Sequence, residues 1–323
     1  MKIGVFTVLF QDLDFQVMLE KVASFGLEAV EIGTGGYPGN SHCQPDLLLK
    51  DRPARERFKQ AIMDHGLIIS AFSCHGNPLH PNTVMAEDSR STFLKTLQLA
   101  NELEVDRVCL FSGCPGDGPG AKMPNWVTCA WPPEFAEIRR WQWEEMAIPY
   151  WRQAVETARK YGVTKIALEM HPGFLVYNPE TLLELRKAAG NEIGANFDPS
   201  HLWWQGIDPV EAIRVLGSEQ ALFHFHAKDV AINEANRTYK GVLDATPYTD
   251  VSHRSWTFRT VGFGHDESEW KKIISALRIY GYDFVLSIEH EDPLVSIDEG
   301  LSKAVDFLNR LNFKESPAAI WWA

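Results

Sequence analysis

The sequence predicts a single (β/α)8 barrel, on three observations. Strand-like and helix-like segments alternate eight times along 323 residues with no linker between them. Strands separated by helices imply a parallel sheet, and this length suits one barrel better than one ordinary domain. Four strands in the second half of the chain end in Glu, Asp, His and Glu, and barrel active sites sit at the C-terminal strand ends. An open doubly wound sheet is the main competitor. No Gly-x-Gly-x-x-Gly follows the first strand to support its dinucleotide-binding version.

Residues 2–7 read as the first strand. Residues 14–25 have helical spacing (Phe15, Met18, Leu19, Val22, Ala23) and stop at Gly26. A second strand, 29–32, ends in Glu31-Ile32 before a glycine-rich loop over 33–39. A helix over 52–65 closes on Gly66, and the third strand, 67–73, leads into a loop with His75 and His80. A helix over 87–103 precedes the fourth strand, 107–111. Residues 112–133 are rich in Gly and Pro and lack periodicity, which marks a lid or a wall of the site. The next helix, 134–161, is expected to break at Pro149. The remaining strands are 165–169, 193–198, 223–226 and 284–289, and the remaining helices 179–189, 209–216, 267–280 and 297–311. A second long loop spans 228–264. The barrel is expected to occupy 1–311. A tail over 312–323 carries Trp321 and Trp322, expected to dock on the barrel or on a neighbouring subunit.

Hydrophobic residues at 45% and charged residues at 23% are those of a globular protein. A net charge of −12 argues against a nucleic-acid surface. Five cysteines, odd in number and without Cys-x-x-Cys, suit reduced thiols in a cytoplasm. The chain opens directly on a strand, so no signal peptide is expected. No run of about 18 apolar residues exists, so no membrane span is expected.

Side chains alternate faces along a strand. In the last strand Phe284, Leu286 and Ile288 oppose Val285, Ser287 and Glu289. In the fifth, Ile166 and Leu168 oppose Lys165, Ala167 and Glu169; in the seventh, Phe223 and Phe225 oppose His224 and His226. Glu169, Asp198, His226 and Glu289 therefore converge at one end of successive strands. Buried unpaired carboxylates are costly, so such a group calls for a cation. Two Glu, one Asp and one His suit one divalent cation, Mn²⁺ first, with Mg²⁺, Co²⁺ or Zn²⁺ as alternatives. His224, a layer deeper, reads as a satisfied core histidine. His75, His201, Lys228 and Arg259 are the candidate substrate contacts, and Arg259 reads equally well as a salt bridge to the barrel rim. His171, His290 and Glu291 flank these residues and are expected outside the ligand set.

Four motifs carry a resemblance: Leu168-Glu169-Met170-His171-Pro172, Phe197-Asp198-Pro199-Ser200-His201-Leu202, His224-Phe225-His226-Ala227-Lys228-Asp229 and Ser287-Ile288-Glu289-His290-Glu291-Asp292. In them the chain resembles the xylose isomerase-like barrel superfamily, in its sugar phosphate isomerase/epimerase branch, which includes ketose 3-epimerases and inosose dehydratase. The resemblance implies that Glu169, Asp198, His226 and Glu289 hold a metal. It also implies that Glu169 and Glu289 act as acid and base on opposite faces of a carbon next to a metal-held carbonyl, and that His201 binds a substrate oxygen. The 3-epimerases carry an arginine shortly after the metal histidine, whereas this chain reads Lys228-Asp229-Val230-Ala231-Ile232. That departure and the two long loops imply a substrate larger than, or shaped differently from, a free hexulose.

The expected function is a metal-dependent sugar isomerase or epimerase. A lyase or dehydratase acting on a keto-sugar, inosose or 3-oxo-glycoside is the alternative. An endonuclease IV-like repair enzyme is weaker, because no Asp-x-His follows the seventh strand and no histidine ends the fourth. A non-catalytic sugar-binding protein would carry the same residues. The expected partners are a small-molecule carbohydrate and further copies of the chain, as a dimer or tetramer.

Overall fold

The computed structural model describes residues 1–316 and 318–322. The period-two patterns become eight parallel strands that close on themselves: β1 (Lys2–Phe6), β2 (Ala29–Gly33), β3 (Ile68–Ser73), β4 (Arg107–Leu110), β5 (Lys165–Glu169), β6 (Ile193–Phe197), β7 (Leu222–Ala227) and β10 (Val285–Ile288). The strands run around the barrel in chain order, and β1 seals against β10 with Lys2 opposite Val285. The predicted (β/α)8 barrel is the observed fold. Ile166, Leu168, Phe225, Leu286 and Ile288 join the main core shared with the helices, as their alternation requires.

One part of that alternation is overturned. Phe223 does not share the face of Phe225. It packs with Ala71, Cys109 and Ala167 in a separate cluster. The register between β6 and β7 explains this: Ala195 pairs with Leu222 but Asn196 pairs with His224, so Phe223 is an extra residue. A bulge of this kind switches the face of the bulged residue. Gly194 makes the space, since a Cβ there would lie 2.4 Å from the Phe223 ring. A second bulge, between β2 and β3, precedes Glu31.

The helices follow their predicted spans closely, with informative exceptions. The helix expected from 87 begins a turn earlier, as Thr83–Leu103, because Asn82 caps it by accepting from Val84 N. The helix expected to break at Pro149 does so: Pro133–Trp141 and Ile148–Lys160 flank a π turn over Gln142–Ala147. Proline has no N–H to donate and disturbs the preceding turn. The π turn buries Gln142, whose Nε2 donates to Gly116 O at 2.9 Å and Asn125 O at 2.6 Å. The irregular loop after β4 is pinned there.

The segment expected as a loop over 228–264 is a built structure. Strands β8 (Asp229–Ile232) and β9 (Trp256–Arg259) pair antiparallel, with a helix, Glu234–Lys240, between them. The two strands lie too far apart in sequence for a hairpin signal. Asp229 locks this ribbon to the barrel. Its carboxylate accepts from Gly262 N, Gly264 N, His265 N and Trp270 Nε1 at 2.9–3.2 Å.

The start of the tail is tied down, with Asn312 Nδ2 donating to Met1 O at 2.6 Å. Trp321 and Trp322 are 86% and 71% exposed, so they do not dock on this chain's barrel. Pro317 and Ala323, part of the same tail, lie outside the described residues. No helix among the described residues is long and apolar enough to cross a membrane. All five cysteines are free thiols.

Candidate metal centre and active site

Glu169 ends β5, Asp198 caps the short helix Pro199–Trp204 after β6, His226 lies in β7, and Glu289 follows β10. Each offers one ligand atom, and the four atoms lie within 4.8 Å of one another. Glu169, Asp198 and His226 are at most 3% exposed. His226 Nδ1 is 2.9 Å from Glu289 Oε2 and 3.7 Å from Glu169 Oε2. Asp198 Oδ2 and Glu289 Oε2 are buried without a hydrogen-bond partner. Buried polar atoms normally find partners. Four hard or borderline donors converging with two of them unpartnered are the geometry of a divalent-cation site.

The substrate-contact candidates gather around the same point, with one exception. His75 Nε2 is 3.0 Å from Glu169 Oε2, and His201 Nε2 is 3.2 Å from Glu169 Oε1 and 3.3 Å from Asp198 Oδ2. Neither ring has hydrogen-bond alignment to these oxygens. Lys228 Nζ reaches Glu291 at 2.6 Å, Glu289 at 3.3 Å and Asp198 at 3.7 Å. Arg259 stands apart. Its Nε pairs with Asp292 Oδ2 at 3.1 Å, and it lines neither cavity near the cluster. Its position in β9, opposite Asp229, aims it at the rim. His171 and Glu291, each two residues beyond Glu169 and Glu289 and so on the same alternation phase, line the cavity beside them. His290 turns away from the cluster and packs on Gly300, where a Cβ would lie 2.1 Å from its ring.

Burial works against every charge here. It would raise the Glu169 carboxyl, but His201, His75 and His226 outweigh it and hold the group well below the usual carboxylate range. Burial likewise opposes ionisation of Glu289, and Lys228 and His226 bring that carboxyl down to about 2. Asp198 is pushed up, first by burial and then by the charges of Glu289 and Glu169, which the charges of His201 and Lys228 only partly offset. His171 is pushed down to about 3 by burial and the neighbouring His201. His224 is the satisfied core histidine expected of it: Nδ1 meets Asn196 Oδ1 at 3.1 Å and Nε2 meets Ser70 Oγ at 3.3 Å.

Glu31 was not singled out by the sequence. It is fully buried, and both its carboxylate oxygens lie 3.0 Å from His226 Nε2. Ser73 Oγ and Ser287 Oγ donate to it at 2.5 and 2.7 Å. The ring nitrogen facing away from the cluster is therefore bonded to a carboxylate, which fixes the orientation of the histidine. The available signal was a lone carboxylate in the apolar run Ala29-Val30-Glu31-Ile32.

The mouth is framed by aromatic rings. Phe6 stacks on His226 at 5.6 Å between ring centres. Phe111 meets His75 edge-on at 4.6 Å and stacks on Phe174 at 4.2 Å. Gly36, at φ +68°, lets the loop after β2 close on the backbone of His75, and Tyr37 N donates to His75 O at 2.7 Å. The cavity between these groups is about 180 Å³.

Comparison with known proteins gives the barrel its relatives. An uncharacterised protein of Bacillus subtilis (strain 168), YfiH, is 40% identical over 312 residues, covering 96% of this chain and 99% of its own. Solved structures share the fold at lower identity. The probable 3-DHS dehydratase AsbF of Bacillus anthracis is 18% identical, with a TM-score of 0.66 over 96% of this chain and 99% of that one. A D-tagatose 3-epimerase-like protein is 21% identical, with a TM-score of 0.63 over 96% and 98%. The IolI protein, solved with a zinc atom, is 17% identical, with a TM-score of 0.65 over 98% and 100%. The family model for the xylose isomerase-like TIM barrel matches residues 19–311. The chain belongs to the xylose isomerase-like TIM barrel family.

Proposed function

We propose that the chain is a metal-dependent isomerase or epimerase of a sugar or sugar derivative. The observation that carries this reading is that Glu169 and Glu289, two members of one four-ligand cluster, line the same cavity. Glu169, Asp198, His226 and Glu289 would hold one divalent cation, Mn²⁺ first among the choices. When bound, it supplies positive charge beside a substrate carbonyl and makes the neighbouring C–H more acidic.

The chain's own residues then divide the work. Glu169, kept ionised by the histidines around it, takes a proton from that carbon. Glu289 returns one from the opposite face, and the roles exchange in the reverse direction. Lys228, 3.3 Å from Glu289, keeps that carboxylate ionised between turnovers. His75 and Lys228, which line the cavity, and His201, beside Glu169, would contact substrate oxygens, while Phe6 and Phe111 would close the cavity to water. The likeness in fold to a D-tagatose 3-epimerase-like protein supports this reading. The likeness to a probable 3-DHS dehydratase supports a second one, in which the same first proton transfer ends in elimination. The exposed Trp321 and Trp322 support a homo-oligomer, which light scattering tests. The free thiols agree with a cytoplasmic location.

Incubation of the Mn²⁺-loaded protein in D₂O with ketoses, sugar phosphates, inososes and 3-oxo-glycosides, followed by NMR, tests the proposal. Deuterium at a carbon beside a carbonyl is the expected result. Deuterium together with loss of water or an aglycone moves the reading to a lyase. No exchange in any of them sinks both.

A further inference from the structure

The cavity beside the ligand cluster has a larger neighbour. A second cavity of about 440 Å³ opens between the loop after β4 and the loop that joins β8 to β9. His171 lines both cavities, and His201, which touches Glu169 and Asp198, lines the second. The two histidine rings lie 4.1 Å apart between centres and form the partition. The second cavity therefore adjoins the ligand cluster.

The walls of the second cavity state what it takes. Trp126, Trp204, Trp256 and Tyr248 line it. Trp204 and Trp256 are stacked at 4.7 Å, and the buried Arg254 guanidinium packs over Tyr248 and Trp256 at 4.0 and 4.4 Å. These walls are prepacked, so a ligand need not order them. Among the described residues no lysine or arginine lines the cavity. Its one carboxylate, Asp244, already accepts from Thr246 N and Ser255 N and pairs with Lys240. The lining offers a phosphate only the imidazoles of His171 and His201. Aromatic faces without a lysine or arginine among them suit the flat face of a neutral ring, as a sugar offers.

We infer that this cavity is a subsite for a second sugar ring, and that the substrate is a ketose joined through a glycosidic oxygen to another sugar. The inference rests on reading the cluster as a ketose site, and it adds the class of substrate. Two cavities sharing a partition match two joined rings, one at the glutamates and one between the tryptophans. It also gives the two long loops a task, since together they build the far wall.

The test is calorimetric titration of the Mn²⁺-loaded protein with fructose and with turanose, maltulose, lactulose and isomaltulose. These four share a fructose unit and differ in the second ring or in the hydroxyl that carries it. At least one should bind about tenfold or more tighter than fructose, as an aromatic face plus one or two hydrogen bonds would give. Trp126→Ala should remove most of that advantage and leave fructose binding within about twofold. Thr128→Trp, at an exposed position on the cavity rim, should remove it by filling the cavity without touching the core. Failure of all four to exceed fructose, or an advantage that survives Thr128→Trp, overturns the inference. Deuterium exchange with the same sugars keeps the two readings separate. Exchange in fructose with no disaccharide advantage rejects the subsite and keeps the isomerase. A disaccharide advantage sensitive to Thr128→Trp with no exchange anywhere keeps the subsite and rejects the isomerase.

Discussion

The two ends of the barrel treat buried charge in opposite ways. At the N-terminal end Arg107 is buried, and its contacts are complete. Its Nε meets Asp106 Oδ1 at 2.8 Å, its Nη1 donates to Phe223 O at 2.9 Å, and the guanidinium lies 3.6 Å from the centre of the Phe284 ring. Lys165 closes on the same Asp106. At the C-terminal end Asp198 Oδ2, Glu289 Oε2 and both ring nitrogens of His75 and His201 are buried without hydrogen-bond partners. A closed set of charges holds a fold together; an open set is tolerated only where a ligand completes it. The difference is a physical ground, independent of any relative, for proposing a structural role for the first cluster and a functional one for the second.

The sharpest way to break the comparison is to cut the open end. Asp198→Ala should leave the purified protein without its metal, measured by elemental analysis, while the circular dichroism stays that of a folded barrel. Glu289→Gln should slow deuterium exchange by about 10²–10⁴-fold, the usual worth of a positioned acid or base. Full activity in that variant removes Glu289 from the chemistry.

Glu31 tests how far the open end extends. It lines neither of the two cavities beside the cluster but grips His226 from behind. Glu31→Gln should weaken metal binding by about 10–100-fold, the range for partners that orient a ligating histidine. Unchanged affinity would make Glu31 an ordinary buried carboxylate satisfied by Ser73 and Ser287.

What the sequence made legible and what it hid divide along the same physical line. The barrel is readable because hydrophobic periodicity is local, and the convergence of the four candidate ligands is readable because alternation places Glu169, His226 and Glu289 on the inner face and Asp198 directly follows β6. Phe223 was misassigned because a bulge breaks alternation, and nothing in Leu222-Phe223-His224-Phe225 announces one. Glu31 was passed over because its partner lies 195 residues away. The ribbon of β8 and β9 has no local signature because its strands pair across 23 intervening residues with no turn signal. The second cavity depends on two loops meeting in space, and no local pattern encodes that.

The closed end should respond in stability and not in metal binding. Arg107→Met keeps much of the packing on Phe284 but leaves the Phe223 carbonyl and Asp106 short of a partner. It should cost about 1–3 kcal/mol, the penalty for such a buried orphan, read from denaturant unfolding, with metal content unchanged. Loss of metal in this variant would mean the two ends are coupled through the barrel.

The smallest effect expected is a pH dependence confined to Asp106. Burial raises its carboxyl, but hydrogen bonds from Arg107 and Lys165 outweigh it and hold the group below its ordinary 3.8. A carboxyl depressed in the folded state binds protons less readily there than in the unfolded chain. Its contribution is therefore present in full above 3.8 and lost as pH falls through the folded value. The side chain is 43% exposed, so screening limits the contribution to under about 1 kcal/mol. Asp106→Asn removes it. The difference in unfolding midpoint between the parent protein and this variant should hold steady from neutral pH down to the ordinary value of 3.8 and shrink below it. A difference that does not shrink would mean that the pair contributes through packing of Arg107 alone, and the closed end would then owe its stability to geometry and not to charge.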